Sequence, residues 1–309
     1  MINFRFHVVS IVAVFLALTI GIVIGSTIVD QAIVDQLRSR IDDVDAKAEE
    51  TRDENEQLKS ALERQAAYLG SMAPFSVDGR LAGDAVAIIA ERGIDADVVA
   101  AEQDLAEAAG VAAPLVVWIE ADAVADGVPA TEFAEELGVA LAERRAAAPI
   151  GSDTTTTTDA TAPGDTEFAR LAALADAGRI SIDDDAVESF LASLVGRRRA
   201  IVLGGAESVL ADRALLEPLA AALHAEGIET VVGEVFLETE GGDSLDRGVL
   251  LAPIVTGDLG DAVATVDDVD EAQGRVSVVL ALEEVVEGTV GHYGFGSGAR
   301  RSTPEWSAA

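Results

Sequence analysis

Residues 8 to 29, VVSIVAVFLALTIGIVIGSTIV, form an uncharged run more apolar than any later stretch of the chain. As a helix rising about 1.5 Å per residue it covers roughly 33 Å, which matches a hydrocarbon core of about 30 Å, so it reads as one membrane span. A helix buried in a soluble core is as a rule shorter and amphipathic. A cleaved signal peptide is the closer rival, because Arg5 precedes the run and Gly25-Ser26-Thr27 is small enough for cleavage. Signal h-regions of about 7 to 15 residues are shorter than this run, however, and a helical pattern continues directly from its end. The run is therefore read as an uncleaved signal anchor behind a stub of residues 1–7.

Lys and Arg are nearly balanced across the span, with Arg5 on one side and Arg38 and Arg40 on the other, and acidic residues contribute little to orientation. The short stub makes an N-in, C-out anchor the simpler topology, which expects the C-terminal domain outside the cytoplasm. Gly21 and Gly25 form a GxxxG step that lets two spans approach closely, a weak signal alone. From residue 30 to 70 the pattern becomes a heptad repeat, with spacings of three and four alternating through Val34, Leu37, Ile41, Val44, Ala48, Thr51, Asn55, Leu58, Leu62, Gln65 and Leu69. Such a sustained pattern without Gly or Pro argues for a coiled-coil stalk, projecting the next domain about 60 Å from the bilayer. Ala48, Thr51, Asn55 and Gln65 weaken the seam, and Asn55 falls at an a position, where a buried Asn pair fixes register and two-strandedness. A homodimer or higher oligomer is expected; a single amphipathic helix packed on its own domain is the alternative.

Gly70-Ser71-Met72-Ala73-Pro74 carries helix-stop signals. Beyond it, residues 74–292 alternate short apolar strands with helical patterns. Strands are expected at Ala85–Ala90, Pro114–Ile119, Ala200–Leu203 and Glu229–Leu237; helices at Asp95–Ala109, 130–147, 166–176, 184–196, Glu207–Ala225 and 275–287, the last ended by Gly288. This is the pattern of an α/β domain with a mostly parallel sheet covered on both faces. Residues 151–166, GSDTTTTTDATAPGDT, read as a low-complexity polar surface loop, and 293–309 as a flexible tail.

Chemistry is sparse. A net charge of −34, with 21 basic against 55 acidic residues and no basic stripe, argues against nucleic acid as a partner. Arg197-Arg198-Arg199 is read as capping the preceding helix. The spread of the acidic residues over the whole soluble part suggests salt adaptation. Zero cysteines exclude disulfides, thiolate metal sites and thiol catalysis. The turn Leu203 to Ser208 is neither GxGxxG nor a Walker motif, and no GxSxG elbow occurs. Asp183-Asp184-Asp185 and Asp267-Asp268-Asp270 offer oxygen ligands, but without EF-hand spacing they read as caps or a solvated acidic face. Sulfur and imidazole ligands for a transition metal number two Met and three His, among them Met72, His7, His224 and His292, and none are close in sequence. One span encloses no pore. No catalytic group and no cofactor is expected.

The block FRFHVVSIVAVFLALTIGIVIGS, the heptad helix, and the block VDDVDEAQGRVSVVLALEEVVEGTVGHYGFG ending in GHYG (Gly291 to Gly294) together resemble the actinobacterial MctB family, that of the mycobacterial copper transport protein B. The resemblance covers nearly the whole chain by order of parts. It implies an envelope protein linked to copper homeostasis and described as an outer-membrane channel former, in a family that includes relatives placed in envelope assembly and cell separation, acting through a partner protein. Copper enters by this resemblance only, and no catalytic residue carries over. His292 and Tyr293, with Asp267, Asp268 and Asp270, are the candidate binding surface; the alternative is that GHYG docks the C-terminus onto the domain.

Overall fold

The computed structural model describes residues 4–124, 129–142, 169–182, 187, 190, 196–205, 215–236 and 247–305. The chain divides into two compact units, residues 1–65 and 66–309. One helix, α1 (Phe4–Val77), begins in the first unit and ends in the second. Its segment Phe4–Gly25 has a mean hydropathy of 2.8, buries nothing among the described residues, and is long and apolar enough to cross a membrane. The heptad residues Val34, Leu37, Ile41, Val44, Leu58, Leu62 and Leu69 are all exposed, an apolar stripe that packs on nothing among the described residues.

The helix does not stop at Gly70. It passes through Pro74 and ends at Val77. Pro74 removes one backbone donor, but it sits on an exposed side, while Ala73 and Val77, one turn apart, bury against the domain together with Leu81. Tertiary burial outweighs a local stop signal, so the end of α1 is the first element of the domain.

The domain is built on a seven-stranded sheet in the order β3-β2-β1-β4-β5-β6-β7. Its strands are β1 (Ala85–Glu91), β2 (Leu115–Ile119), β3 (Ile180–Ile182), β4 (Arg198–Gly205), β5 (Glu229–Val235), β6 (Ala264–Val266) and β7 (His292–Tyr293). All neighbours run parallel except the β2–β3 pair at one edge. Continuous apolar runs make these strands because both faces are covered. Along β1, Ala85, Ala87 and Ile89 enter one core with α3 (Ala130–Ala142), α4 (Ala169–Asp176), α5 (Leu216–Ala225) and α6 (Ala252–Thr256). Val86, Ile88 and Ala90 enter the other, with α2 (Ala96–Ala108), α7 (Ala272–Val286) and the end of α1. Asp95 caps α2, its carboxylate accepting from the Asp97 N–H at 2.9 Å.

Three expectations change. Arg198 and Arg199 belong to β4 rather than to a helix terminus: Arg199 is buried and pairs with Asp84 at 2.6 Å and Glu229 at 3.6 Å, which lets a guanidinium sit at the start of a central strand. Strands β3, β6 and β7 and the short α6 are additional to the elements expected. The stretch after residue 292 is not a free tail up to Glu305. Tyr293 is in β7, Gly294 N–H donates to the Arg301 carbonyl at 3.0 Å, and Pro304 is buried. The loop 151–166, the helix expected at 184–196 apart from Val187, Phe190 and Gly196, and the start of the one expected at Glu207 lie outside the described residues.

Candidate functional site

The two acidic and aromatic blocks near the C-terminus meet at the β6–β7 edge of the sheet. β7 pairs with β6 through Thr265 with His292 and Val266 with Tyr293. The His292 ring is buried, with Nδ1 2.9 Å from the Thr265 hydroxyl and Nε2 3.0 Å from the Gly260 carbonyl. A carbonyl only accepts, so Nε2 carries the proton and Nδ1 accepts from Thr265. Burial holds the ring below its ordinary pKa, neutral. Both nitrogens are thus spent on the fold, which leaves no lone pair for a metal ion.

Tyr293 is buried as well, and its hydroxyl donates to Glu284 of α7. The other Glu284 oxygen accepts the Glu305 N–H at 2.7 Å, so one carboxylate ties β7 and the C-terminal segment to the same helix. Burial, then the hydrogen bond and charge of Glu284, push the phenol upward. The glycines of GHYG have distinct reasons. A Cβ on Gly291 would run into the Tyr293 ring, and Gly294 combines φ +122° with an approach to the Asp267 carboxylate that no side chain fits.

Asp267 is buried and accepts from Phe295 N–H and Gly296 N–H, each at 2.8 Å, capturing the backbone that follows the motif. Asp270 makes a bidentate pair with Arg247, 2.9 Å on each arm, and the guanidinium lies 4.4 Å over the Phe236 ring. Glu234, at the carboxyl end of β5, accepts from Gly248 N–H at 2.6 Å. Burial raises its pKa to about 7, opposed by that hydrogen bond and supported by the Asp267 charge. Asp268 is buried too, and desolvation, then the charges of Asp267 and Glu271, raise it to about 6.

These five residues therefore do come together, as the sequence proposed, but four of them are interior. His292, Tyr293, Asp267 and Asp268 present no binding surface; Asp270 is half-buried and occupied by Arg247. His292, Tyr293 and Asp267 fasten the polypeptide after residue 292 onto the sheet, the alternative role. Among the described residues no group of three or more His, Cys, Asp or Glu is placed to hold a metal ion. His224 is exposed on α5, and Met72 lies on α1. The Asp183-Asp184-Asp185 cluster lies outside the described residues, as do Ala206 to Ser208 of the β4 turn. At the topological switch between β1 and β4, where open α/β sheets bind ligands, Glu91 accepts from Gly205 N–H at 3.3 Å and occupies the crevice with a carboxylate. Sequence reasoning missed Glu234, Arg247 and Glu284. Each is distant in sequence from the group it holds, and only the Tyr of GHYG hinted at a buried partner.

The comparison with known proteins matches this arrangement from end to end. The model of the family described as copper transport outer membrane protein, MctB, matches residues 1–304. Relatives named copper transporter MctB, from Mycobacterium bovis and from two strains of Mycobacterium tuberculosis, are each 28% identical over 323 residues, covering 98% of this chain and 99% of theirs. The matched stretch takes in the apolar helix, the heptad segment and the domain with its GHYG edge, and the chain belongs to the MctB copper transport family.

Proposed function

We propose that this protein acts in copper handling at the cell envelope as a self-associated, membrane-anchored chain, with its α/β domain outside the cytoplasm. The observation that carries the assembly is the exposed heptad stripe on α1, from Val34 through Leu37, Ile41, Val44, Leu58 and Leu62 to Leu69. A seam of this spacing over five heptads, apolar except at Thr51, Asn55 and Gln65 and open to water, is stabilised by pairing with a like helix. Family membership supplies the copper. In this reading copper is cargo of the assembly, the chain is not an enzyme, and a single span serves as anchor rather than conduit.

A strain lacking the gene should accumulate copper and lose copper tolerance. Wild-type protein should restore both, and Leu58→Asp/Leu62→Asp expressed at the same level should not. Unchanged copper content and tolerance in the deletion strain would refute the copper role; rescue by a variant shown to be monomeric would refute the assembly. A second reading, a non-catalytic scaffold for envelope assembly or cell separation acting through a partner protein, is favoured by one observation. The GHYG residues and Asp267 are engaged in holding the domain together. Defects of shape or septation in the deletion strain, in copper-free medium, would support it.

A further inference from the structure

Where α1 enters the domain, its heptad continues past Leu69 through Met72 and Ser76, because the helix runs to Val77. The domain packs on one flank of that helix, through buried Ala73 and Val77, and leaves the seam beside it open: Leu69 is 37% and Met72 41% exposed. Between seam and domain lies an apolar groove of about 220 Å³, lined by Leu69, Met72 and Ala73 of α1, Val276 and Leu280 of α7, and Pro304. We propose that this groove seats the Tyr68 side chain of a second copy of the chain, in a parallel, in-register pair; the proposal rests on the self-association proposed above and extends it into the domain.

The register points to that occupant. With Asn55 at a, Tyr68 is at g and Ala73 at e. In a parallel dimer each g residue lies beside the e residue of the next heptad on the other helix. Tyr68 of one copy therefore faces Ala73 of the other, the residue at the floor of the groove. Tyr68 is 64% exposed in the single chain, and alanine is small enough to leave room for a ring. Charge supports the same alignment: the g–e pairs Arg40 with Asp45 and Glu54 with Lys59 attract, and only Lys47 with Arg52 repels. From there on the g and e positions turn small or aromatic, as Ala61, Ala66, Tyr68 and Ala73, where the domains sit against the helices. The area fits the need. A tyrosine buries about 150–250 Å², so two related rings add about 300–500 Å² to a seam weakened at Ala48, Thr51, Asn55 and Gln65, against about 1,600 Å² for a standard interface. Gln273 and Thr303 at the rim offer partners for the phenol.

The chain has no cysteine, so introduced thiols report cleanly. Full-length chains carrying Tyr68→Cys and Val276→Cys, co-expressed with different tags and oxidised in detergent, should give a mixed disulfide-linked dimer. Tyr68→Ala should raise the dissociation constant of the dimer about 100-fold, roughly tenfold per ring. If Leu62→Cys chains crosslink to each other while the mixed Tyr68→Cys/Val276→Cys dimer does not form, the seam pairs but something else, a lipid chain or another protein, fills the groove, and the proposal fails alone. If neither pair crosslinks, the proposal and the self-association reading fail together.

Discussion

Glu102 lies on the buried face of α2, in line with Val99, Leu105 and Ala106. It is fully buried, and neither carboxylate oxygen accepts a hydrogen bond from the described residues. Arg275 is the cation nearest in effect, but its guanidinium donates to the carbonyls of Val269 at 3.0 Å and Asp270 at 2.9 Å. Desolvation, only partly opposed by Arg275, raises the Glu102 pKa from 4.5 to about 8. The folded protein therefore keeps a proton that the unfolded chain releases above pH 4.5. Stability from this group is full at and below that pH, falls as pH rises toward 8, and is flat beyond. At about 1.36 kcal/mol per pH unit over about 3.5 pH units the ceiling is about 5 kcal/mol; relaxation and water entry around the ionised group bring the expected loss to about 2–4 kcal/mol. For a domain of this size that is about 5–15 °C in Tm. Glu102→Gln has no proton to lose. Thermal unfolding of wild type and variant, followed by circular dichroism at pH 5 to 9, isolates the effect in the difference curve, because the self-repulsion of a chain of net charge −34 is nearly common to both. The variant should match wild type within about 3 °C at pH 5 and exceed it by about 5–15 °C at pH 9. Parallel curves across the range would show that Glu102 ionises without penalty and refute the reasoning.

Four further perturbations test other parts of the chain. Tyr293→Phe removes the donor to the buried Glu284 and should cost about 1–3 kcal/mol in denaturant unfolding, with faster proteolysis after residue 294. Gly294→Ala meets both an unfavourable φ and the Asp267 carboxylate, and should cost about 2–4 kcal/mol or lower the yield of folded protein; a stability equal to wild type would contradict the packing of that turn. Asn55→Ile should tighten self-association while giving mixed oligomers by light scattering, since the a-position Asn sets register at a cost in stability. A reporter fused after Ala309 should be active only outside the cytoplasm, and cytoplasmic activity would reverse the topology proposed for the anchor.

The sheet was legible where strands are buried on both faces. AVAIIAE, LVVWI and RRAIVLGG carry unbroken apolar runs that only a covered parallel sheet accommodates. The strands ISI, ATV and HY were not, because runs of two or three residues have no period of their own; their pairing is imposed by β2, β5 and β6. The helix end was misjudged for a related reason: Gly70 and Pro74 are local signals, and the burial of Ala73 and Val77 that overrides them depends on a domain formed from distant sequence. The acidic residues show the same limit from the other side. Asp267 and Asp268 look like a solvated face in sequence, yet Asp267 is interior because the Phe295 and Gly296 N–H groups, some thirty residues on, need an acceptor there. Glu102 gave no signal, since its helix position is apolar on both sides and the residue type alone argues for solvent.

The single apolar helix bears on transport itself. A helical span satisfies its own backbone and presents only side chains, so one span offers an ion no path through hydrocarbon; a path requires several spans, or walls supplied by another protein. Phe4–Gly25 buries nothing among the described residues. The stripe on the helix beyond is in the same position. Two successive stretches of one helix thus bury nothing among the described residues, and the parallel pairing proposed above would cover both. In the self-association proposed above, close approach of two spans at Gly21 and Gly25 would align the helix that follows. Substituting Gly21 and Gly25 with Ile should weaken self-association of the full chain in detergent while leaving dimerisation of residues 30–309 intact. If the substitutions leave the full chain unaffected, the stalk alone carries assembly and the span is an anchor only.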